Sequence, residues 1–530
     1  MSTNHQSGSG LAAEPRAGTR PVLLQRGMKL DKTADLVVVG LGGAGVCAAI
    51  EAARLGRSVI VLEKTASGGG NTAVSAGNFI IPEDADKAYA YLSETFALGL
   101  SEMDPEAVRR FCEEAVKTRE FFRAVAPEAE LVVSGHANFT KLPHAETITK
   151  YSVKGPATGG VNLFAVLKGA LERLGVEVLY ETPAQELLIV HDAQGAAVVT
   201  GVEARDRTGR RLLIGARCGV VLASGGYECD PESLDAFCQG APLLSLGTPA
   251  NTGDGLRMAQ SVNAALWHMR AYSCPLGMRV EGLGSAIPFH PSMAGFIWVD
   301  RNARRFANEA DVDLHACLYS VNHFDPVAHC YPAIPCWAIF DERARLSGGI
   351  THQRFGYAAV IEGYAWSRDS SREIAAGIVR KAETIRDLAA VIGLDAAALE
   401  ASVARWNGFV RAGCDADFGR RMQRPAGEKE TIAGLGSRRL SDVIETGPFY
   451  AVALYPALLN TQGGPRRSAR AEVLDRAGRP IAGLYAAGEL GSLWGTVYQG
   501  SSNVAECLAY GRIAAREALA GADHLAQAGF

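Results

Sequence analysis

The sequence DLVVVGLGGAGVCAAIEAARLGRSVIVLEK, residues 35 to 64, predicts a strand, a glycine turn, a helix and a second strand. Within the GxGxxG spacing, Gly40 permits a tight turn, Gly42 lets the backbone approach a pyrophosphate, and Gly45 lets the helix sit close to the strand. The helix N-terminus favours negative charge, and Glu63 is placed to bind a ribose 2′-hydroxyl. This stretch therefore predicts a dinucleotide site, and the acid favours FAD or NAD over a 2′-phosphorylated nucleotide.

Composition describes an ordinary globular protein of several domains. The chain has 530 residues, of which 48% are hydrophobic and 21% charged. This length suggests roughly two to four domains. The net charge of −4 gives no reason to expect nucleic acid as a partner. No apolar run reaches the ~18 residues that a transmembrane segment needs, so none is predicted.

The N-terminus and the cysteines indicate where the protein works. Residues 1–33 are rich in Ser, Gly, Ala and Pro and lack a continuous apolar segment, which predicts a flexible arm rather than a secretion signal. The 11 cysteines are scattered and form no CxxC pair or haem motif. This favours free thiols in a reducing cytoplasm, and no metal site is predicted.

Residues 34–234 predict a nucleotide-binding α/β half. A loop of small residues covers 65–78, and its density of Gly, Ser and Ala favours a backbone pressed against a flat ligand over a simple linker. A helix is predicted from Val161 to Leu174. Strands are predicted at 186–191 and 197–205, and another ends in the glycine turn at Gly225.

The chain then changes character twice. Residues 235–440 lose the strand-helix alternation and predict a substrate domain, with a solvated helical pair at 370–392 and 396–412. Residues 441–530 return to α/β character. There a strand ends at Gly488 and Glu489, and a loop rich in Gly and Ser precedes a helix from Asn503, a geometry that accepts anions.

Together these motifs resemble the flavoprotein family of fumarate reductases, succinate dehydrogenases and 3-ketosteroid dehydrogenases, nearest the ketosteroid branch. The matching pieces are Gly40–Gly45 with Glu63, Gly68–Asn78, Thr252–Gly255, Arg305–Glu309, Thr461–Gly464 and Gly483–Glu489. The resemblance implies an α/β fold with a discontinuous Rossmann-like FAD-binding domain, formed by 34–234 and 441–530. It also implies an inserted α+β substrate-capping domain at 235–440.

The resemblance implies FAD as the cofactor and assigns its contacts. Glu63 would bind the adenosine ribose, Glu489 would lie near the ribityl chain, and 502–504 would lie at the flavin pyrimidine edge. The predicted contacts are Gly40, Gly42, Gly43, Ala44, Gly45, Glu63, Lys64, Gly70, Asn71, Thr72, Ser75, Ala76, Gly77, Ala184, Ser224, Gly225, Asn251, Thr252, Asp254, Gly488, Glu489, Ser502, Asn503 and Val504. Members with covalent flavin carry a histidine where this chain has Asn71, so we expect FAD to be held non-covalently.

Departures from the family pattern indicate the substrate. Dicarboxylate reductases carry cationic residues in three neighbourhoods of the sequence. The corresponding segments here are 310–313, 458–460 and 496–499, and none of them contains a cationic residue. A carboxylate pair would have no bidentate partner, which argues against fumarate. Ketosteroid dehydrogenases place a tyrosine in the last loop, and Tyr498 matches it. Its phenol can donate to a ketone oxygen and stabilise an enolate.

The catalytic base is harder to assign, because Val312 stands where related enzymes often carry a second tyrosine. The candidates are Tyr319, His315, Tyr455 and His290, although a lone His or Tyr in an apolar stretch is more often a core or rim residue. Tyr498, Tyr319 and His290 are the predicted catalytic residues.

The predicted reaction is hydride exchange at the carbon β to a carbonyl, as desaturation of a ketone or reduction of an enone. The expected substrate is a cyclic, largely apolar ketone such as a 3-ketosteroid. Without haem, cluster or NAD motifs, the protein needs an external electron acceptor or donor. Two alternatives remain open: a reductase of a small unsaturated acid that uses Arg304 or Arg466, and a flavoprotein that only carries electrons.

Overall fold

The computed structural model describes residues 18–25, 27–99, 101–310, 312–351, 355–423 and 441–530. Most of the chain forms two sheets that are separate in hydrogen bonding, with helices packed on them. This mixed α/β architecture confirms the predicted fold class.

The larger sheet has nine strands and is parallel at its centre. Its strands are Val22–Leu23, Lys32–Val39, Val59–Leu62, Glu177–Leu179, Ala184–His191, Ala197–Arg205, Arg211–Leu222, Glu472–Leu474 and Pro480–Ala486. The Lys32–Val39 strand lies between Val59–Leu62 and Arg211–Leu222 and is parallel to both. Its apolar residues 36–38 are fully buried, as expected for a parallel strand with helices on both faces.

The end of the chain completes this sheet. Strand Pro480–Ala486 pairs in parallel with the C-terminal end of Arg211–Leu222. The chain thus returns to the first half after an insertion of more than two hundred residues. Parallel strands place their carboxyl ends at one edge, so the turns after residues 39, 222 and 486 meet there. This edge is where a dinucleotide binds in such folds.

The second sheet belongs to the inserted part. Its seven strands are Leu244–Ser245, Leu276–Met278, Ile287–Pro288, Phe296–Val299, Cys336–Asp341, Val379–Ala382 and Phe449–Leu458. Strand Phe449–Leu458 is its centre and pairs with four others. It follows the predicted boundary at 440, so the cap sheet draws on sequence from both sides of that boundary. The domain boundaries themselves stay predictions.

Three small sheets join these bodies to one another. They pair Phe79–Pro82 and Leu131–His136 with Ile148–Val153, Leu266–Trp267 with Gly464–Pro465, and Tyr272–Ser273 with Asn460–Thr461. The α-helices are Gly43–Arg54, Gly70–Val74, Ala85–Leu98, Pro105–Ala115, Thr118–Val125, Gly159–Arg173, Pro231–Phe237, Asp254–Ser261, Leu318–Val321, Glu342–Ser347, Tyr357–Val360, Ser371–Ala375, Ile385–Ile392, Ala396–Ala412, Ser502–Leu519 and His524–Ala528.

Local predictions differ from the structure in two places. The helix expected over 370–392 is broken into Ser371–Ala375 and Ile385–Ile392 by the strand Val379–Ala382. Gly377 has φ of +71° and Val379 is β-branched, so the chain leaves the helix and pairs with Phe449–Leu458. In the predicted N-terminal arm, Val22–Leu23 pairs with the Ala184–His191 strand. Residues 1–17 lie outside the described residues.

Candidate active site

A cavity of about 760 Å³ lies between the large sheet and the inserted part. Most of the residues predicted to bind FAD line this cavity, although they come from segments far apart in sequence. They are Gly40, Gly42, Gly43, Ala44, Glu63, Lys64, Gly70, Asn71, Thr72, Ser75, Ala76, Gly77, Ala184, Ser224, Gly225, Asn251, Asp254, Glu489, Asn503 and Val504. The predicted catalytic residue Tyr498 lines it as well.

The glycine turn has the geometry that its spacing predicts. Gly40 has φ of +100°, and a Cβ there would lie 2.5 Å from the Ala223 carbonyl oxygen. A Cβ on Gly45 would lie 1.9 Å from the Gly40 carbonyl oxygen, so the helix can approach the strand only with glycine there. Around Gly42 a Cβ would meet nothing within 4 Å. The Gly42 backbone therefore borders open cavity space, as close approach of a pyrophosphate requires.

Glu63 and Lys64 follow the second strand and hold the loops around the cavity. Glu63 accepts hydrogen bonds from the Leu41 N–H at 2.9 Å and the Thr65 N–H at 2.7 Å. The Lys64 ammonium donates to Asp254 at 2.7 Å and to Thr252 at 2.9 Å. Thr252 does not itself line the cavity. Its hydroxyl contacts Lys64, which does line it.

Two acidic side chains, the buried Glu228 and the partly buried Glu489, lie close together at the edge of the cavity. The Asn71 amide donates to Glu228 at 2.6 Å and to Glu489 at 3.0 Å, and the Asn251 amide donates to Glu228 at 2.7 Å. Burial raises the pKa of Glu228, and burial with the charge of Glu228 raises the pKa of Glu489. The pair therefore retains a proton to higher pH than separate glutamates would. We call Glu228 and Glu489 the carboxylate pair.

The helix Ser502–Leu519 begins at the cavity. Asn503 and Val504 in its first turn line the cavity, and the Asn503 Oδ1 is buried without a hydrogen-bond partner among the described residues. The Ser224 hydroxyl, also in the lining, is likewise buried and unpartnered. Unpaired buried polar atoms are costly, so these two atoms mark places that a polar ligand would satisfy. With the glycine turn, they fit a long dinucleotide such as FAD.

Three other predicted contacts do not line the cavity. Gly45 packs against the glycine turn, Gly488 packs against Ala44 and Cys507, and Ser502 bonds the Gln499 carbonyl oxygen. Each lies beside residues that do line it. Their contribution is to the shape of the walls.

Tyr498 is 5% exposed and lies in the loop before Ser502–Leu519. Burial raises the pKa of its phenol, and interaction with Ser273 offsets part of this rise. The phenol therefore stays protonated near neutral pH and can donate a hydrogen bond. The His315 ring lies against it, with ring centroids 4.9 Å apart.

The structure separates the four candidate bases. His315 lines the cavity, whereas Tyr319, Tyr455 and His290 do not. Tyr319 is 43% exposed, and His290 is buried beside Thr351. The predicted catalytic roles of Tyr319 and His290 therefore have no support in the cavity geometry, and we do not carry them forward.

The charged lining distinguishes this site from one built for a dicarboxylate. Its cationic or potentially cationic side chains are Lys64, Lys150 and His315, and no arginine lines it in the described part of the chain. Arg304 lines a different, smaller cavity, and Arg466 pairs with Glu102 at 3.0 Å outside the main cavity. Neither arginine is placed to clamp a small acid there.

Several lining residues were missed by sequence reasoning. They include Lys150, Leu246–Ala250, Leu314, Phe355–Tyr357, Leu459–Asn460, Gly500–Ser501 and Cys507. The run Leu246–Ala250 directly precedes the predicted Asn251, so proximity in sequence was an available signal. Lys150 had none, because it is one residue of an ordinary strand whose side chains alternate between faces.

The described residues offer neither a metal site nor a membrane-spanning helix. The described residues contain no group of three or more His, Cys, Asp or Glu side chains that could hold a metal ion. Among the described helices, none combines the length and apolar character needed to cross a bilayer.

Comparisons with known proteins identify the family of this chain. The FAD binding domain family matches residues 35–504. The chain is 30% identical to the 3-oxosteroid 1-dehydrogenase of Mycolicibacterium smegmatis, over 91% of this chain and 96% of that protein. It is 30% identical to the 4-oxocyclohexanecarboxylate 2-dehydrogenase of Sinomonas cyclohexanicum, over 86% of this chain and 87% of that protein.

A solved structure shows the same fold. It is the 3-ketosteroid delta1-dehydrogenase of Sterolibacterium denitrificans in complex with 1,4-androstadiene-3,17-dione, with a TM-score of 0.79 at 23% identity. The match covers 92% of this chain and 100% of that one. The chain therefore belongs to the FAD binding domain family, and it is an FAD-dependent oxidoreductase whose relatives act on CH–CH bonds.

Proposed function

We propose that this protein exchanges a hydride between FAD and the carbon β to the carbonyl of a cyclic, largely apolar ketone, for which a 3-ketosteroid is the representative substrate. The observation that carries the proposal is the buried Tyr498 phenol in a cavity that no described arginine lines. The reaction desaturates a ketone in one direction and reduces an enone in the other. An external acceptor or donor carries the electrons onward.

The chain's own residues account for the polar half of this chemistry. Tyr498 donates a hydrogen bond to the ketone oxygen, which stabilises negative charge there as the α carbon loses its proton. FAD, when bound, accepts or supplies the hydride. The glycine turn and the first turn of Ser502–Leu519 would hold its two ends.

Cofactor attachment is proposed to be non-covalent. The position where related enzymes carry a flavin-linking histidine holds Asn71, whose amide is engaged with the carboxylate pair. Its amide oxygen also accepts the Thr248 N–H at 2.9 Å. Asn71 thus has a complete set of partners within the protein.

The names of two relatives support a cyclic ketone as the substrate. One relative is named for 3-oxosteroids and another for 4-oxocyclohexanecarboxylate, both rings that carry a ketone. The reductase of a small unsaturated acid is the weaker alternative, because Arg304 and Arg466 lie outside the cavity.

The test is anaerobic bleaching of the flavin by 4-androstene-3,17-dione, 4-oxocyclohexanecarboxylate and cyclohexanone, with fumarate offered to the reduced protein. We expect a cyclic ketone to bleach the flavin and fumarate not to reoxidise it. Tyr498→Phe should slow bleaching by about 10²–10³-fold, the usual loss for one oxyanion donor. The flavin content, measured after acid release, should be unchanged.

A matched control is Tyr89→Phe, which removes a phenol outside the cavity whose ring stacks under Arg109. This variant should bleach at the wild-type rate. Equal rates for Tyr498→Phe and wild type would remove Tyr498 from the mechanism. Rapid oxidation by fumarate would favour the alternative function, and flavin that stays with the acid-precipitated protein would contradict non-covalent binding.

A further inference from the structure

Beside Tyr498, one wall of the cavity carries a connected set of polar side chains that the proposed function leaves without a role. A Cβ placed on Gly500 would lie 3.0 Å from both His315 Cε1 and Asn138 Oδ1. The Lys150 ammonium donates to Asn138 Oδ1 at 2.5 Å. His315, Lys150 and Tyr498 all line the cavity. The imidazole, the ammonium and the phenol therefore face the same ligand space.

Asp313 fixes how the His315 ring is presented. Asp313 Oδ1 accepts the His315 backbone N–H at 2.9 Å and lies 3.2 Å from His315 Nδ1. A neutral imidazole that donates its Nδ1–H to this carboxylate has its lone pair on Nε2. Nε2 has no hydrogen-bond partner in the described part of the chain. The arrangement leaves a proton acceptor at the cavity wall, oriented from behind by a carboxylate.

The charges around Asp313 favour the ionised form of its carboxyl, which is the form that orients His315. Burial would raise the pKa of its carboxyl, but the hydrogen bonds from His315 and the charge of Lys150 oppose this rise, and the charge that His315 gains on protonation lowers that pKa further, so that it lies below its ordinary value. Asp313 therefore stays ionised and favours the imidazolium that forms when His315 takes a proton. Among the described residues, the titratable groups beside His315 are Asp313 on its own segment and Tyr498 on the loop, and the charge of Lys150 on strand Ile148–Val153 acts on Asp313.

We propose that His315 is the catalytic residue that exchanges the proton at the ketone α carbon, with Asp313 and Lys150 as positioning residues. The inference rests on the proposed function. In the desaturating direction the α C–H bond breaks, an Nε2–H bond forms on His315, and the electron pair moves to the carbonyl oxygen beside Tyr498. The step is redox-neutral, and the reverse step returns the proton.

Position favours His315 over Lys150 as the acceptor. The α carbon is bonded to the carbonyl carbon, so its proton acceptor must lie close to the group that holds the carbonyl oxygen, and the His315 ring lies beside the Tyr498 ring at a tilt of 55°. Burial lowers the pKa of Lys150 to about 8, so near neutral pH it is mainly a cation without a free lone pair. Its charge instead stabilises Asp313.

The experiment measures proton exchange apart from hydride transfer. FAD-loaded oxidised enzyme is incubated with 4-androstene-3,17-dione or 4-oxocyclohexanecarboxylate in D2O, and deuterium in the recovered ketone is read by mass spectrometry against an enzyme-free sample. Anaerobic flavin bleaching is measured in parallel. His315→Gln should lower both rates by about 10²–10⁴-fold, the usual contribution of a general base. The control His191→Gln changes an exposed histidine at a strand end and should match wild type.

A second variant separates chemistry from folding. In Asp313→Asn the imidazole remains but loses its carboxylate, so the acid limb of the bleaching rate should move to lower pH, because imidazolium is less favoured. A merely structural role would lower the rate without moving that limb.

The outcomes distinguish the two proposals. If His315→Gln kept the wild-type rates of deuterium exchange and bleaching, the role of His315 would be overturned. The proposed function would then be left intact. An Asp313→Asn profile with an unmoved acid limb would count against the role of Asp313. Failure of every cyclic ketone to bleach the wild-type flavin would overturn the proposed function and this inference with it.

Discussion

Two buried charge clusters, one in the cap and one beside the cavity, are built on opposite principles. In the cap, Arg305 contacts Glu309 at 2.9 Å and Asp415 at 3.0 Å, and Arg420 contacts Glu309 at 3.3 Å. These four side chains, which we call the cap ion cluster, are at most 5% exposed. The Trp406 ring lies against both guanidinium groups. Two cations balance two anions.

The carboxylate pair has no such balance. Glu228 and Glu489 are held by the neutral amides of Asn71 and Asn251, and neither pairs with a cation in the described part of the chain. A Cβ on Gly226 would lie 2.4 Å from Glu489 and 2.8 Å from Glu228, so their oxygens crowd one point. Like charges this close cannot both ionise cheaply, so the pair holds a proton.

The difference separates a cluster that stabilises the fold from a pair of like charges that destabilises it beside the cavity. A balanced, dry network tolerates its burial as long as every member stays. A pair of like charges is costly, and such arrangements concentrate at functional sites. The carboxylate pair borders the cofactor cavity, whereas the cap ion cluster does not line it.

The largest effect is expected from breaking the balanced cluster. Arg420→Met removes one cation and, among the described members of the cluster, leaves Glu309 and Asp415 buried with Arg305. We expect a loss of about 3–5 kcal/mol in the free energy of unfolding. Urea unfolding of the FAD-loaded protein measures it. A loss below about 1 kcal/mol would show that the cluster does not support the fold.

An intermediate effect, of opposite sign, is expected at the carboxylate pair. Since the pKa of Glu489 is raised in the folded state, wild-type stability should fall as pH rises above the ordinary glutamate value. Glu489→Gln removes this loss. The free energy of unfolding of the variant, relative to that of wild type, should therefore increase by at most about 1.4 kcal/mol for each pH unit within that window. Urea unfolding of the apoprotein from pH 5 to 8 measures the difference.

A control for that measurement is Glu177→Gln, which changes an exposed glutamate paired with Lys32. Its stability should track wild type at every pH. If Glu489→Gln also ran parallel to wild type, the carboxylate pair would not be coupled, and its contrast with the cap ion cluster would vanish.

The smallest effect is expected at an exposed pair in the same cap. Arg405 contacts Asp417, but the Arg405 side chain is 62% exposed. Arg405→Gln should cost about 0.2–1 kcal/mol, because solvent screens exposed ion pairs. The same urea titration detects it. A loss as large as that of Arg420→Met would show that burial does not separate the two cap arginines.

The sequence carries a local signal for the predicted adenosine end of the site and much less for the predicted reacting end. Gly40, Gly42 and Gly45 have roles set by contacts within one short βαβ unit, so local spacing carries them. His315 and Lys150 gave no comparable signal: the former was one of four candidates, and the latter was missed. Their meeting depends on a strand near 150, a short helix near 315 and a loop near 500.

The same limit applies to the charge clusters. Arg305 and Glu309 are four residues apart and were noted as a motif, but their burial with Asp415 and Arg420 depends on chain more than a hundred residues away. The strand Val379–Ala382 was read as helix because its neighbours are helical and charged. Its partner, Phe449–Leu458, decided otherwise.

By itself, the sequence determined the βαβ unit that is predicted to hold a dinucleotide, the return of the chain to it near Glu489, and the lack of the family's carboxylate-binding cations. These follow from glycine spacing, strand periodicity and residue identity, all of which are local. Only the tertiary structure placed His315 against Tyr498, removed Tyr319 and His290 from the cavity, and set Glu228 against Glu489. Such contacts join residues distant in sequence, and no local pattern specifies which of many polar side chains will meet.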